Sequence, residues 1–139
     1  MDRTKLYDDS LLNTPKLNFP IKSAELRVAL GLNLPDLKDY KDEFNINFKR
    51  NGVNSEVNEF QYTFFKFVKL AKNYINALLE YSLLTEEFYI NNIVISLMRK
   101  LVEEGYIDLR NEKVSEELTP EIFYGTIDSF FESLSPKEA

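Results

Sequence analysis

Between Val57 and Tyr81, apolar side chains recur at alternating spacings of three and four: Val57, Phe60, Phe64, Phe67, Ala71, Tyr74, Leu78 and Tyr81. Only an α-helix brings such positions onto one face, so the chain is expected to contain a helix of about seven turns with an apolar seam. Val68 and Ile75 widen the seam, and Asn54 or Ser55 is the expected N-cap, which places the helix over about 55–83. A seam of that length needs partners, and the following sequence supplies them. Thr85 with Glu86 and Glu87 opens a second helix over about 86–104. Its stripe is Ile90, Ile93, Val94, Leu97, Met98 and Leu101, and Gly105 ends it. The connection is only a few residues, so the two helices are predicted to pack as an antiparallel pair. Thr119-Pro120-Glu121 reads as a cap, an N1 proline and a first-turn acid, which starts a C-terminal helix over about 120–134. Phe123, Ile127, Phe130 and Leu134 form its expected buried face, with Pro136 beyond its end.

The N-terminal third reads differently. Ala24, Leu26, Val28, Leu30, Leu32 and Leu34 alternate with Glu25, Arg27, Ala29, Gly31, Asn33 and Pro35, a period of two that predicts a half-buried strand. The competing reading is a short helix bounded by Ser23 and Gly31, because Ala, Glu, Leu and Arg are helix formers. Pro35 with Asp36, Asp39 and Asp42 suggests a short polar helical turn. Phe44, Ile46 and Phe48 resume the alternation, and Asn51-Gly52 is the favoured type I′ hairpin turn. These features define a small N-terminal β element over about 22–52. The expected fold class is α+β, predominantly α, with no βαβ repetition to build a Rossmann-type sheet. A short extended piece, Tyr106 to Leu109, and a loop to Leu118 separate the last two helices. Residues 1–16, which include Asn13-Thr14-Pro15, read as a polar arm, 17–135 as a single compact domain and 136–139 as a tail.

Composition removes whole classes of chemistry. The 139 residues include no Cys, no His and no Trp. Thiolate nucleophiles, Cys/His zinc sites, haem ligation through His or Cys and any Ser-His-Asp triad are therefore unavailable. The four glycines, Gly31, Gly52, Gly105 and Gly125, stand singly, so there is neither a P-loop nor a glycine-rich dinucleotide turn. The acids Asp36, Asp39, Asp42 and Glu43, then Glu86 and Glu87, then Glu103, Glu104 and Asp108, then Glu112, Glu116, Glu117 and Glu121 form clusters without the spacing of a calcium loop. They read as solvated helix ends and loops. No catalytic, cofactor-binding or metal-ligating residue is expected. The net charge of −6 is uneven: residues 84–139 hold 12 acids against 5 bases, while residues 1–83 hold 11 against 12. An acidic half repels phosphate backbones, so nucleic acid is an unlikely partner. The opening residues carry three acids and no apolar run, and no stretch reaches the roughly 20 apolar residues of a membrane span, so the expected location is cytoplasmic.

Opposite the long seam lie Tyr62, Phe65, Lys66, Lys69 and Lys72, with Asn73 and Asn76. This is the candidate partner-binding face. Lysines interleaved with aromatic rings suit an acidic protein surface or single-stranded nucleic acid, while the plainer and preferred reading for the lysines is a solvated face; a helix apolar on its seam and aromatic on its back is covered by something. Either the N-terminal third wraps it or a partner does. One further pattern is family-like. Leu97-Met98-Arg99-Lys100-Leu101-Val102-Glu103-Glu104-Gly105-Tyr106-Ile107-Asp108-Leu109 resembles the end of a winged helix-turn-helix recognition helix running into its wing, with Leu84-Thr85-Glu86-Glu87 opening the preceding helix. That resemblance implies a degenerate winged-helix-like nucleic-acid-binding regulator. Thr85 to Ile93, however, leaves no room for a full helix and a turn, and the helix would show Asn91, Asn92, Ser96, Arg99 and Lys100 to DNA within the acidic half. The leading expectation is a non-catalytic protein that binds another protein or itself, as an adaptor, an inhibitor or a small subunit of an assembly.

Overall fold

A computed structural model of the chain describes residue 7, residues 17–81 and residues 90–134. The fold is α+β and predominantly helical. Its elements are β1 (Ile21–Lys22), α1 (Ser23–Leu30), α2 (Leu34–Phe44), β2 (Lys49–Asn51), β3 (Asn54–Val57), α3 (Glu59–Tyr81), α4 (Ile90–Glu103), β4 (Ile107–Asp108), β5 (Lys113–Val114) and α5 (Pro120–Leu134).

The long seam is the central helix α3, which packs against α1, α4 and α5. It begins later than its periodicity suggests. Asn58 is the cap: its Oδ1 accepts the Gln61 N–H at 2.8 Å, while Gln61 Oε1 accepts the Asn58 N–H at 3.0 Å. This reciprocal pairing satisfies two donors that a helix start otherwise leaves open. Asn54 and Ser55, the expected caps, lie instead in β3, and Val57 pairs with Ile21 of β1. Phe44 lies between Phe64 (5.1 Å, edge-on) and the Arg99 guanidinium, while Asp36 links Lys72 to Asn91. Positions 64 and 72 of α3 thus face 99 and 91 of α4, and the two helices run antiparallel. Gly105, at φ 84°, closes α4 as expected: its N–H bonds to Val102 O and the Tyr106 N–H to Leu101 O. Thr119 Oγ1 accepts the Ile122 N–H, so the predicted cap of α5 is in place. The expected N-cap Thr85 lies outside the described residues.

The predicted strand from Ala24 onward is instead the helix α1 as far as Leu30, followed by a link at Gly31, Leu32 and Asn33 to α2. Leu26 and Leu30, four apart, are fully buried, but Val28, which the alternation places on the same side, is 84% exposed. A strand would have to bury all three; a helix turns Val28 about 200° away from each. Gly31, with φ 63°, then reverses the chain, and its own N–H and that of Leu32 both bond to Arg27 O. The β element of this region reduces to three short strands in the order β1-β3-β2, all antiparallel. The expected polar turn after Pro35 is a full helix, α2, which buries Leu37, Tyr40 and Phe44. Ile46 and Phe48 are buried as the resumed alternation required, although neither lies in a strand. The hairpin is also shifted by one residue. Asn51 pairs with Asn54, so Gly52-Val53 forms the loop, and positive φ falls on Gly52 alone. That is the pattern of a type II′ rather than a type I′ turn.

Replacing Val28 with Ala separates the two readings of this segment. An exposed helical Val→Ala change should stabilise the protein by about 0.3–0.6 kcal/mol through helix propensity, whereas a strand residue facing the core would lose about 1–2 kcal/mol. A urea midpoint shifted upward is the expected result.

Candidate functional site

The five residues of the predicted face do not form an exposed platform. Phe65 is 0% exposed, wedged edge-on between Phe48 at 6.0 Å and Phe64 at 5.5 Å. Tyr62 is 3% exposed beneath Phe19, ring centroids 5.5 Å apart. The N-terminal third wraps this side of α3. Its three lysines border the wrapping segments instead of standing free. Lys66 lies over the Tyr62 ring at 4.9 Å, and partial burial lowers its pKa against the opposing pull of Glu59. Lys69 reaches the Gly31 carbonyl at the end of α1, at 3.4 Å, where a cation complements the helix dipole.

Lys72 pairs with Asp36 at 2.5 Å, both side chains being less than a fifth exposed. Asp36 also accepts from Asn91 Nδ2 at 2.8 Å, and Asn91 Oδ1 accepts the Tyr40 hydroxyl at 2.6 Å. The network ties α2, α3 and α4 together with every member partnered. Burial raises the Asp36 pKa, but hydrogen bonds from Lys72 and Asn91 and the Lys72 charge outweigh it, so the carboxyl titrates below its ordinary value. Burial, reinforced by Asp36 and Asp39, pushes the Tyr40 phenol upward. Because the folded Asp36 pKa is depressed, its contribution to stability is complete above about pH 4 and is lost as pH falls through the folded value. Urea midpoints at pH 6 and pH 3 check this: wild type should lose more on acidification than Asp36→Asn, which carries no such proton linkage.

A second polar cluster involves the one described residue of the N-terminal arm. Tyr7 stacks on Tyr124 at 4.6 Å and meets Tyr74 edge-on at 5.6 Å, and its hydroxyl donates to Asp128 Oδ2 at 2.9 Å. Tyr74 donates to the other oxygen of the same carboxylate. This cluster fastens Tyr7 to α3 and α5.

The described residues also enclose an open cleft of about 920 Å³, which sequence reasoning did not find. It lies where the turn after α2, the sheet, the N-terminus of α3 and the β4–β5 loop converge. Phe19, Pro20, Phe44, Ile46, Phe60 and Leu109 supply its apolar surface. Polar groups are Asn45, Asn47, Asn58, Gln61, Lys49, Glu56, Arg110 and Glu112. Gln61 is the organising residue: its Nε2 donates to Asn47 O at 3.0 Å while its oxygen caps Asn58, so one amide joins the turn after α2 to the start of α3. Asn58 Nδ2 donates to Glu112 Oε2 at 2.9 Å, which brings in the β4–β5 loop. Asn51 Nδ2 likewise donates to Glu56. Both carboxylates of the cleft are thus engaged. Neither cation is: among the described residues, the Lys49 and Arg110 side chains have no hydrogen-bond or ion-pair partner. Asn45 and Glu112, the two described non-glycine residues with left-handed backbone (φ 53° each), both line this cleft. Asn tolerates that conformation; for Glu it costs about 1–2 kcal/mol, a local expense of the kind that gathers at binding sites.

The signals that could have located the cleft were faint but present. Asn58-x-x-Gln61 is a cap pattern four residues inside the expected helix start, and Asn45 and Asn47 interrupt an apolar alternation. Elsewhere, Asp108 accepts from the Arg110 and Asn111 amides and from Asn111 Nδ2. Those Asn111 bonds hold this exposed carboxyl below its ordinary range and shape the β4–β5 loop that carries Arg110 and Glu112. No group of three or more acids among the described residues is placed to hold a metal ion. No described helix is long and apolar enough to cross a membrane.

The family-like stretch at 97–109 does run from α4 into a hairpin, β4–β5. Over residues 21–57 a strand, two helices joined by Gly31-Leu32-Asn33 and a hairpin follow one another, with strand order β1-β3-β2. No protein-family profile, curated protein or solved structure matches the chain.

Proposed function

We propose that this chain is a non-catalytic protein that works by binding another protein, as an adaptor, an inhibitor or a small subunit of a larger assembly. The observation that carries this reading is the open cleft, whose aromatic surface is rimmed by side-chain amides and charges. Such a surface offers apolar anchoring together with donors and acceptors for a polypeptide backbone. Its lining has no Ser, Thr or Tyr hydroxyl to serve as a nucleophile, and its carboxylates are already held by amide donors. The partner is a different protein or a second copy of the chain, met in the cytoplasm. Cell fractionation checks the compartment.

The test is retention of partners on the tagged full-length chain, with and without nuclease, alongside sedimentation of the purified protein. A stoichiometric protein partner that survives nuclease, or a defined oligomer, is the expected outcome. Retention abolished by nuclease would overturn the reading.

A second reading has one specific observation in its favour, the helix-turn-helix topology of residues 21–57. It makes the chain a nucleic-acid-binding regulator that contacts the duplex through α2 and the β2–β3 hairpin. The exposed side of α2 carries Lys38 but also Asp39 and Asp42, and Glu43 is engaged by Arg99, so the charge there weighs against a phosphate backbone. Duplex binding whose affinity falls steeply with salt would support this alternative.

A further inference from the structure

We propose that the groove centred on Phe60, where the α3 N-terminus meets the β4–β5 hairpin, docks a basic segment of the protein partner, with one lysine or arginine side chain seated over the Phe60 ring between Glu59 and Glu112. The inference deepens the protein-binding reading and rests on it. Charge selects the occupant. Within the cleft, Lys49 stands across from Glu56 in the sheet register, so those two charges offset each other. The cleft continues past Asn58, Phe60 and Glu112 into a depression of about 450 Å³, whose remaining walls are Glu59, Thr63 and Val114. Two carboxylates and no cation line that depression. The amide bond from Asn58 satisfies one acceptor of Glu112 and leaves its charge in place. The partial positive charge of the α3 N-terminus is about half a unit, less than either glutamate carries. Arg110 lines the cleft but not the depression, and Lys66, which feels the Glu59 charge, lies over the Tyr62 ring.

The surroundings have the same sign. From the end of α4 through the β4–β5 hairpin to the start of α5, residues 103–121 hold seven acids against Arg110 and Lys113. The Ser115 N–H bonds to Tyr106 O at 2.7 Å, which draws the two flanks of the hairpin together. None of the seven acids forms an ion pair with a described residue. A concentrated negative surface beside a concave site attracts a cationic chain and holds off an acidic one. The half-buried Phe60 ring adds what charge alone lacks, an aromatic face for a guanidinium or ammonium group whose alkyl stem can cover Val114.

The experiment is selection from a display library of random peptides of about twelve residues on the full-length protein, followed by titration of synthetic winners. The expected winners are enriched in Lys or Arg, and their binding weakens as NaCl rises from about 50 to about 500 mM. The double variant Glu59→Gln/Glu112→Gln should bind them about tenfold more weakly. Glutamine keeps an oxygen for the Asn58 amide and both positions are exposed, so its melting midpoint should stay close to that of wild type. Glu25→Gln/Glu132→Gln removes the same charge at exposed positions outside the groove, and should bind the winners within about twofold of wild type.

Winners without basic enrichment, undiminished binding by Glu59→Gln/Glu112→Gln, or an equal loss in Glu25→Gln/Glu132→Gln would overturn the inference. So would failure to select any peptide, or displacement of the winners by spermine at a lower concentration than by peptide, which would make the occupant a small polycation. The two readings fail separately. If Glu59→Gln/Glu112→Gln still retains the nuclease-resistant partner at wild-type level, the groove assignment fails while protein binding stands; nuclease-sensitive retention removes protein binding itself.

Discussion

Replacing Phe65 with Ala is expected to remove about 3–5 kcal/mol of folding stability, the cost of a large aromatic deletion in a closed core. The side chain is fully buried, with Phe48 and Phe64 edge-on to it and the N-terminal third above it. A domain of this size has a total stability of about 5–15 kcal/mol, so the variant should unfold at a much lower urea concentration and could be partly unfolded in buffer. Had Phe65 stood on a partner-facing surface, its removal would change stability by no more than about 0.5 kcal/mol. The exposed neighbour Asn73, on the same helix, provides that contrast: Asn73→Ala should leave the midpoint almost unchanged. The measurement decides whether α3 is a central helix or a surface one.

The second large effect is at the opposite side of α3. Tyr124 is 1% exposed and touches Tyr7, Tyr74 and Phe123 at centroid distances of 4.6, 4.8 and 5.1 Å. Tyr124→Ala should cost about 3 kcal/mol or more, because it opens a cavity where three rings converge. Tyr7→Ala removes one stacked ring and its bond to Asp128 from a half-buried place, and should cost about 1–2 kcal/mol. Urea titration of the two single variants and the double variant gives the coupling directly. The double variant should fall short of the sum, since Tyr7 has no ring to stack on once Tyr124 is gone.

The contrast between these two regions shows where sequence reading succeeds. Helices α4 and α5 were legible because their signals are local: an apolar stripe, Thr119 before Pro120, Gly105 after Val102. The central helix was legible in its body for the same reason. Its first residues were not, since Val57 fits the helical seam and also fits a strand facing Ile21. Over 24–34 two periodicities coexisted, and alternation favoured the wrong one. The alternation puts Val28 on the buried side, whereas it is a solvent-facing residue of a short helix. The local clues that were right, helix-forming residues and a glycine stop, were outweighed by a pattern that six apolar positions satisfy by chance.

The sequence by itself determined the absence of thiol and imidazole chemistry, the predominantly helical class, the extent of α5 and the reversal at Gly105 that ends α4. Each follows from residue type or from neighbours within one or two turns. The tertiary structure alone decided that Tyr62 and Phe65 face inward, that Asp36 meets Lys72 and Asn91, and that Asn47, Gln61, Arg110 and Glu112 surround one cleft. Those residues come together only through packing of distant segments. Burial is decided by what covers a face, which no periodicity along a single helix encodes.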